Sequence, residues 1–294
     1  MRVGDKTPFD LDRPEDYARW REYKLNGYPT RLADLIVELR DPRRPTAAEV
    51  EAMLARCRRA NMVIYAGRSG GDPDKEIPRR LGARLGLIRL DHNLGADEDA
   101  ISALTVRSDG GRHGYIPYSN RPIAWHTDGY YNAPERRISG MLLHCVRPAA
   151  GGGENDLLDH EIAYLLLRDR NPEFIRALMH PEAMTIPANV VDGRELRPER
   201  SGPVFSVQPD GHLHMRYTDR TRSIRWREDP LTAEAVSCLK EILRGRTAWH
   251  FATGLEVGWG LVTNNTLHTR TGFQDGELPR LLYRARYYDR ILDT

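Results

Sequence analysis

The feature that most constrains the fold is a series of short strand patterns that starts at Ala103 and runs to the C-terminal end of the sequence. Turn residues separate these patterns, as in Asp109-Gly110-Gly111, Gly151-Gly152-Gly153 and, inside a predicted hairpin, Asp210-Gly211. The predicted strands cover residues 103–108, 123–127, 138–146, 154–158, 203–208, 212–217, 247–251, 255–257, 260–264 and 280–288. Many short strands with long insertions are typical of a double-sheet jelly roll, so we predict a mainly β fold with α insertions.

The first 100 residues follow a different pattern. A helix is predicted over residues 46–60, where Thr46 can cap the N-terminus and Glu49 stands three residues further on. A strand over 62–66 and a helix over 74–85 follow it. We expect residues 1–100 to form a helical or α/β segment that packs on a jelly-roll core of residues 101–294, the two together making one compact domain.

Two helices interrupt the predicted strands of the core, one over 159–180 with a break near Pro172 and one over 232–244. The polar stretches 181–202 and 271–279 are rich in glycine and proline. Long polar connections of this kind often carry function, so we expect both to be mobile loops at the active site.

The balance of charges argues against a nucleic-acid partner. The sequence has 44 Lys plus Arg and 42 Asp plus Glu, for a net charge of +2, and no basic block. No stretch approaches 18 apolar residues, and the polar N-terminal stretch lacks the apolar segment of a signal peptide, so neither a membrane span nor secretion is expected.

The three cysteines form no CxxC pattern, which favours a cytoplasmic location. Exposed sheet edges would allow a homo-oligomer.

The central candidate site is the tetrapeptide Trp125-His126-Thr127-Asp128 together with a distant histidine. Side chains alternate along a strand, so His126 and Asp128 project from the same face. His268 follows an apolar strand and lies 142 residues after His126 (268 − 126), a separation that a jelly roll can close. Two histidines and one carboxylate form the facial triad of non-haem Fe(II) oxygenases, which leaves the other coordination positions open.

Neighbouring residues bear on this metal site. Asn264 or Asn265 could hydrogen-bond the imidazole of His268 and fix its tautomer. A structural zinc site would instead favour cysteines or a closed set of four ligands, and the motif supplies neither. The pair His212 and His214, on a strand after the hairpin turn, is an alternative metal pair.

A strand near the C-terminus carries several arginines on one face. The alternation places Arg280, Leu282, Arg284 and Arg286 together and Leu281, Tyr283 and Ala285 on the opposite face. A solvent-facing side is one interpretation of such a set. A buried clamp for a carboxylate is the other, because the planar guanidinium group matches a carboxylate with two hydrogen bonds.

Four motifs occur in a fixed order over roughly residues 100–290. They are Trp125-His126-Thr127-Asp128-Gly129, Gly152-Gly153-Glu154-Asn155, Asn265-x-x-His268-x-Arg270-x-x-Phe273 and Arg280-x-x-x-Arg284. In this combination the sequence resembles the taurine dioxygenase-like (TauD/TfdA) family of Fe(II)/2-oxoglutarate-dependent dioxygenases. The resemblance implies a double-stranded β-helix (jelly-roll, cupin-like) core with flanking helices. It also implies an enzyme that uses Fe(II), 2-oxoglutarate and O₂ to hydroxylate, desaturate or cleave a small polar or anionic molecule, with release of succinate and CO₂.

The resemblance assigns roles to individual residues. The iron ligands would be His126, Asp128 and His268. Arg280 would clamp the distal carboxylate of 2-oxoglutarate, and Asn155 stands near the cosubstrate where family members often have threonine. Arg270 would either help to secure the cosubstrate or be structural. Arg284 matches a position that faces the sulfonate of the substrate in taurine dioxygenase.

The stretches on either side of the metal strand, 115–121 and 129–132, are expected to rim the substrate pocket. Tyr118, Asn120 and Tyr131, together with Arg284, are the candidate substrate-binding residues, and packing is the alternative role for the tyrosines. The substrate is expected to be a small molecule of unassigned identity.

Other classes of protein remain as alternatives. A cupin-type metal-dependent dioxygenase would need no 2-oxoglutarate, and Arg280 argues against it. A non-catalytic small-molecule-binding protein could share the scaffold, but the complete triad argues against that. Nucleic-acid demethylation would predict a basic groove, which the balanced charge disfavours.

Overall fold

The computed structural model describes residues 7–92, 97, 99–106, 116–191, 193–220 and 224–294. The helices are α1 (Pro14–Leu25), α2 (Ala47–Ala60), α3 (Glu76–Arg84), α4 (His160–Arg170), α5 (Pro172–Leu178) and α6 (Pro230–Arg244). The strands are β1 (Ile36–Leu39), β2 (Met62–Gly67), β3 (Ile101–Leu104), β4 (Ile123–His126), β5 (Gly140–Arg147), β6 (Gly151–Gly152), β7 (Asn155–Leu158), β8 (Met184–Ile186), β9 (Asn189–Val191), β10 (Arg194–Arg197), β11 (Arg200–Gly202), β12 (Phe205–Val207), β13 (Leu213–Met215), β14 (Arg225–Trp226), β15 (Phe251–Thr253), β16 (Trp259–Thr263), β17 (Leu267–Arg270), β18 (Phe273–Gln274) and β19 (Leu281–Tyr287). In the described part of the chain, no helix combines the length and the apolar character that crossing a membrane requires.

Two sheets form the framework of the molecule. The larger sheet has six strands in the order β1-β2-β16-β5-β19-β3, and the smaller has four in the order β15-β7-β17-β4. Arg284 on β19 of the larger sheet reaches Asp128, which follows β4 of the smaller sheet. The space between the two sheets is therefore where the candidate ligands meet.

Strand β19 separates two hydrophobic clusters. Tyr283, Ala285 and Tyr287 pack with side chains of α2 and α3, whereas Leu282 belongs to the cluster that contains residues of the smaller sheet. This is the alternation that the sequence predicts, since strand side chains point to opposite faces in turn. Full burial of an aliphatic or aromatic side chain stabilises a fold by about 1.5–3 kcal/mol, so both faces contribute to holding β19 in place.

Helix α2 begins as its sequence predicts. Thr46 Oγ1 accepts a hydrogen bond from the backbone N–H of Glu49, and the Glu49 carboxylate accepts one from the backbone N–H of Thr46. The helix then buries Met53, Leu54 and Cys57 against the larger sheet. The prediction for residues 46–60 is confirmed, and so is the break between α4 and α5 at Pro172.

Several strand predictions need correction. The stretch 181–202 contains the four strands β8 to β11 and the stretch 271–279 contains β18, so neither is a strand-free loop. Residues 255–257 form no strand, and β15 begins only at Phe251. The missed strands are only two to four residues long, and periodicity cannot be recognised over so few positions. The turn Asp109-Gly110-Gly111 lies outside the described residues.

The N-terminal part of the chain contributes to the larger sheet. Strands β1 and β2 pair in parallel, and β2 pairs antiparallel with β16 from the C-terminal part. The predicted division into residues 1–100 and 101–294 stays a prediction, and the two parts share one sheet.

Candidate metal centre

Strands β4 and β17 bring the two histidines of the predicted triad directly opposite each other. They pair antiparallel, with His268 in register with His126, and the centroids of the two imidazole rings are 4.2 Å apart. Asp128 lies two residues beyond His126, and its Oδ1 is 3.9 Å from His126 Nε2. Each of the three residues offers one ligand atom, and these atoms lie within 4.8 Å of one another. The structure thus brings the predicted ligands together at one point.

Backbone carbonyl groups fix the tautomer of both imidazoles. His126 Nδ1 lies 3.0 Å from the carbonyl oxygen of Ala124, and His268 Nδ1 lies 3.0 Å from that of Thr266. A carbonyl oxygen only accepts, so each Nδ1 carries the hydrogen and each Nε2 keeps its lone pair for a metal.

The prediction that Asn264 or Asn265 fixes the tautomer of His268 is wrong. The carboxamide of Asn265 instead holds the backbone of Asp128: its Oδ1 accepts from Asp128 N–H at 2.7 Å, and its Nδ2 donates to the carbonyl oxygen of Asp128 at 2.9 Å and to that of Ile138 at 2.8 Å. Asn265 has a φ of 53°, a conformation that asparagine adopts more readily than most residues. The motif residue therefore positions the carboxylate ligand.

Burial and neighbouring charges set the protonation states of the ligands. Burial lowers the pKa of His126 to about 3, with a further contribution from His268, and burial also lowers the pKa of His268. Burial by itself would raise the pKa of Asp128, but Arg284 and Arg286 outweigh it, and the net pKa lies below its ordinary value. Neutral imidazoles and an ionised carboxylate are the forms that bind a cation.

The donor set fits an iron(II) ion. Asp128 Oδ2 is buried and accepts no hydrogen bond from any residue that the structure describes. A buried carboxylate oxygen without a partner is costly, and a bound cation would remove that cost. Two imidazole nitrogens and one carboxylate oxygen on neighbouring strands are the ligand set of the facial triad.

The arginines of β19 lie in the interior, so the solvent-facing interpretation of this face is wrong. Arg284 Nη1 is 3.4 Å from Asp128 Oδ1. The buried Arg286 donates to Asp91 Oδ2 at 2.5 Å and to the hydroxyl oxygen of Tyr131 at 3.0 Å. Both guanidinium groups are thus already engaged beside the triad.

Arg280 differs from the other two. Its side chain is buried, lies 4.9 Å from the centroid of the Phe273 ring, and makes no hydrogen bond to the side chains or backbone of the described residues. Burial lowers its pKa. Arg280 directly precedes β19, and its guanidinium group has donors that no described residue uses. Such a buried guanidinium group is suited to bind a carboxylate.

Arg270 and Asn155 lie beside the same strand pair and make specific contacts. The guanidinium group of Arg270 donates to the carbonyl oxygens of Ile116, Pro117, Ser119 and Arg121. These four bonds favour the structural role for Arg270, because they hold the stretch in front of the metal strand. Asn155 is buried on β7, and its Nδ2 donates to the carbonyl oxygen of Thr269 at 2.6 Å.

The predicted substrate residues fall into different environments. Tyr118 is buried, whereas Asn120 is exposed, and its backbone carbonyl accepts from Phe273 N–H at 3.1 Å. Tyr131 packs edge-on against Tyr130 with ring centroids 5.1 Å apart. Of this set, Tyr131 has a direct hydrogen-bonded link, through Arg286, to the surroundings of Asp128.

The alternative pair does not assemble a comparable site. His214 Nδ1 lies 3.1 Å from the carbonyl oxygen of Met215. Within the described ranges, the only group of three or more histidine, cysteine or carboxylate side chains with metal-binding geometry is His126, Asp128 and His268.

Sequence comparison identifies the family. The sequence profile described as "Taurine catabolism dioxygenase TauD, TfdA family" matches residues 69–286. The chain belongs to this family. The predicted family and its enzyme class, an iron(II)- and 2-oxoglutarate-dependent dioxygenase, are confirmed.

Two curated dioxygenases are similar to part of the chain. The sequence is 31% identical over 173 residues to a uridine-5'-phosphate dioxygenase from Amycolatopsis sp, which covers 55% of this chain and 60% of that relative. It is 30% identical over 222 residues to a uridine-5'-phosphate dioxygenase from Streptomyces sp, which covers 68% of this chain and 77% of that relative.

Solved structures share the fold. An asparagine oxygenase in complex with Fe(II), 3-hydroxyasparagine and succinate superposes with a TM-score of 0.56 at 17% identity, covering 82% of this chain and 84% of that one. AAD-2 in complex with Mn(II) and N-oxalylglycine gives a TM-score of 0.59 at 14% identity, with 89% and 96% covered. PvcB from Pseudomonas aeruginosa gives a TM-score of 0.57 at 15% sequence identity, covering 86% of this chain and 85% of that one. The predicted jelly-roll core of a family dioxygenase is confirmed.

Proposed function

We propose that this protein oxidises a nucleoside 5'-monophosphate related to uridine-5'-phosphate, consuming 2-oxoglutarate and O₂ and releasing succinate and CO₂. The observation that carries the proposal is the buried triad of His126, Asp128 and His268, in which both Nε2 atoms and one carboxylate oxygen make no hydrogen bond to the described residues. The names of the two curated relatives supply the substrate class.

The triad residues would hold the iron, and the bound iron would supply the oxidising chemistry that protein side chains lack. His126 and His268 contribute Nε2, since their Nδ1–H groups are committed to backbone carbonyls. Asp128 contributes its carboxylate, held by Asn265 from one side and by Arg284 from the other. All three ligands are less than 10% exposed, so the protein excludes bulk water from the reacting centre.

Arg280 would bind the distal carboxylate of 2-oxoglutarate, because its buried charge has no hydrogen-bond acceptor among the described residues. Asn155 would line the same region from β7. Arg270 would act indirectly, by holding the stretch that leads into the metal strand.

On the substrate side, Tyr131 and Tyr118 would offer ring surface to a nucleobase or ribose, and Asn120 would contribute at the exposed rim. Arg284 would keep Asp128 oriented while facing the substrate. The oxidised carbon, and the choice between hydroxylation and a cleavage that follows it, depend on how the substrate is oriented over the metal.

The test is succinate formation by protein loaded anaerobically with Fe(II) and then given 2-oxoglutarate and O₂. Uridine-5'-phosphate, uridine, asparagine and taurine are compared, with His126→Ala as the inactive control. Of the four compounds, we expect only the nucleotide to raise iron-dependent succinate formation, by at least ~10-fold over the rate without substrate. The reason is that a site built to bind a polar group discriminates strongly against compounds that lack it. A larger response to a different compound would reject the nucleotide as substrate, and no iron-dependent succinate with any compound would reject the activity.

We also propose that the enzyme works in a reducing compartment, without a nucleic-acid partner, and that it can form a homo-oligomer. Cys57, Cys145 and Cys238 are free and buried, which fits a reducing compartment such as the cytoplasm. The net charge of +2 gives no reason for a nucleic-acid partner. Strands β1 and β3 end the larger sheet, and a homo-oligomer through such an edge can be tested by sedimentation.

A further inference from the structure

A phosphorylated substrate needs a cation that the metal centre does not already use. Arg284 contacts Asp128, and Arg286 is neutralised by the buried Asp91. Arg270 is committed to four backbone carbonyls. A further source of positive charge for a phosphate group lies on another element.

A second pair of arginines lies beside Tyr130 and Tyr131, where the chain leaves the metal strand. Arg197 is the last residue of β10, and its guanidinium carbon is 5.9 Å from the centroid of the Tyr131 ring. Arg216 Nε donates to the carbonyl oxygen of Tyr130 at 2.7 Å. Neither guanidinium group forms an ion pair with a carboxylate of the residues that the structure describes.

Arg216 lies close to the metal ligands in the fold. The next residue, Tyr217, accepts a hydrogen bond from the backbone N–H of Thr127, which stands between the ligands His126 and Asp128. Tyr217 N–H in turn donates to Thr127 Oγ1 at 3.1 Å. The backbone of Arg216 is therefore one residue away from the position that pairs with Thr127, between two of the metal ligands.

The two arginines have different numbers of free donors. A guanidinium group has five N–H donors. Arg216 uses four of them, on the carbonyl oxygens of Tyr130, Met184, Gly202 and Arg200. Arg197 uses two, on the carbonyl oxygens of Pro198 at 3.0 Å and Pro187 at 2.6 Å. With respect to the residues that the structure describes, Arg197 thus keeps three donors for a ligand, whereas Arg216 mainly contributes charge.

The electrostatic environment of the pair favours an anion. Burial lowers the pKa of Arg216 to about 10, with a further contribution from Arg197, and burial also lowers the pKa of Arg197. Two neighbouring cations without a carboxylate repel each other, and an anion between them would relieve that repulsion. Guanidinium donors match the oxygens of a phosphate group in geometry.

Tyr131 connects this pair to the metal centre. Its ring lies 5.9 Å from the Arg197 guanidinium and 6.0 Å from that of Arg286, and its hydroxyl oxygen accepts from Arg286 at 3.0 Å. An anion bound by Arg197 would therefore lie across one aromatic ring from the arginine that influences Asp128.

We propose that Arg197 binds the phosphate group of the substrate and that Arg216 supports it by its charge. This assignment rests on the proposed nucleotide function and makes it more specific. It identifies hairpin β9–β10, which pairs with no other described strand, as the element that selects phosphorylated over unphosphorylated substrates.

The experiment measures binding of uridine-5'-phosphate and of uridine by calorimetry, on anaerobic protein loaded with Mn(II) and 2-oxoglutarate. The variants are Arg197→Gln, Arg197→Lys and the control Arg194→Gln, which removes an exposed arginine from the same strand. We expect Arg197→Gln to weaken nucleotide binding ~10–100-fold and leave uridine binding unchanged, since it removes charge-assisted hydrogen bonds to the phosphate alone. The affinity of Arg197→Lys for uridine-5'-phosphate should lie between those of wild type and Arg197→Gln. Arg194→Gln should bind both ligands as the wild type does.

Thermal unfolding of each variant separates binding from stability. Equal weakening of both ligands by Arg197→Gln would overturn the assignment and make Arg197 a structural residue of the hairpin. Nucleotide binding within twofold of wild type in that variant would also overturn it, while leaving the nucleotide as substrate. Wild-type protein that binds neither ligand would reject the proposed substrate and this assignment with it.

Discussion

At the scale of single residues, the metal centre depends on groups that hold the ligands as much as on the ligands themselves. The carbonyl oxygens of Ala124 and Thr266 select the Nδ1–H tautomer of each imidazole. The carboxamide of Asn265 fixes the backbone of Asp128 through two hydrogen bonds. Because these contacts fix the orientation of the three ligand side chains, little further ordering opposes coordination of a metal.

Asn265→Ala is expected to weaken iron binding ~10–100-fold, as loss of an outer-sphere partner typically does. It should also destabilise the fold by about 3 kcal/mol, because the buried backbone groups of Asp128 and Ile138 lose their partner. Asn265→Asp keeps the acceptor for Asp128 N–H but sets a buried carboxylate oxygen against two carbonyl oxygens, so it should destabilise the fold at least as much. Metal titration and urea unfolding measure the two effects. Wild-type metal affinity in Asn265→Ala would contradict the positioning role.

Arg280→Ala is expected to raise the KM for 2-oxoglutarate ~10–100-fold while leaving iron affinity unchanged, because the lost contact is to the distal carboxylate. Arg280→Lys keeps the positive charge but loses the two parallel hydrogen bonds of the guanidinium group, so its KM for 2-oxoglutarate should lie between those of wild type and Arg280→Ala. Steady-state succinate formation at varied 2-oxoglutarate checks this. An unchanged KM would show that the cosubstrate binds elsewhere.

At the scale of elements, strand β19 shows what the sequence could predict and what only the fold could add. The sequence predicted which of its side chains share a face, and the fold determined what each face contacts. The alternation of the strand predicted which side chains share a face, and both faces were confirmed by the clusters they join. The alternation cannot say whether a face meets solvent or a second sheet, and the burial of Arg280 and Arg286 answers that question. The four strands within 181–202 were missed because each is only three or four residues long, too short for a recognisable period.

Strand β5 carries a buried histidine that should make stability depend on pH. His144 Nδ1 lies 2.8 Å from the hydroxyl oxygen of Tyr65, and burial lowers the pKa of His144 to about 4, with Arg43 adding to the effect. The unfolded chain has the ordinary pKa of about 6.5, so below that pH it binds a proton that the folded chain does not. Stability is therefore full above pH 6.5 and falls as the pH drops towards 4.

His144→Gln should remove this dependence. Between pH 6 and 4.5 its free energy of unfolding should fall less steeply with decreasing pH than that of wild type, by up to ~1.4 kcal/mol per pH unit. Urea unfolding at several pH values measures both slopes. Equal slopes for the two proteins would mean that His144 is protonated in the folded chain.

At the scale of the whole molecule, a buried charge cluster connects distant parts of the chain. Lys24 of α1 contacts Asp159 Oδ2 at 2.7 Å and Glu161 Oε2 at 2.5 Å at the start of α4. Asn61, which follows α2, donates to Asp159 Oδ1, and Arg290 near the C-terminus donates to Asn61 Oδ1. No local pattern could predict this cluster, because its members lie far apart in sequence and each resembles an ordinary surface residue.

Lys24→Met should destabilise the protein by about 3–5 kcal/mol, because it leaves two buried carboxylates without their cation. Its exposed neighbour in sequence offers a control: Tyr23→Ala should change stability far less, since its ring is 61% exposed. Chemical unfolding monitored by circular dichroism compares the two. Similar stability of Lys24→Met and wild type would show that the cluster contributes little.

The assembly of His126, Asp128 and His268 was predictable because the motif combines two local signals with a fold that joins them. His126 and Asp128 share a strand face, and a jelly roll places His268 opposite. The position of Arg197 and Arg216 beside Tyr130 and Tyr131 was not predictable, because it arises only when β10 and the segment after β13 fold against these tyrosines.

The most direct test of this account is an anaerobic titration of metal-free protein with Fe(II), followed by 2-oxoglutarate, for wild type, His268→Ala and His214→Ala. We predict one iron per chain and iron-dependent 2-oxoglutarate binding in wild type and His214→Ala, with both lost in His268→Ala. Iron binding that survives in His268→Ala but disappears in His214→Ala would contradict the assignment of the centre.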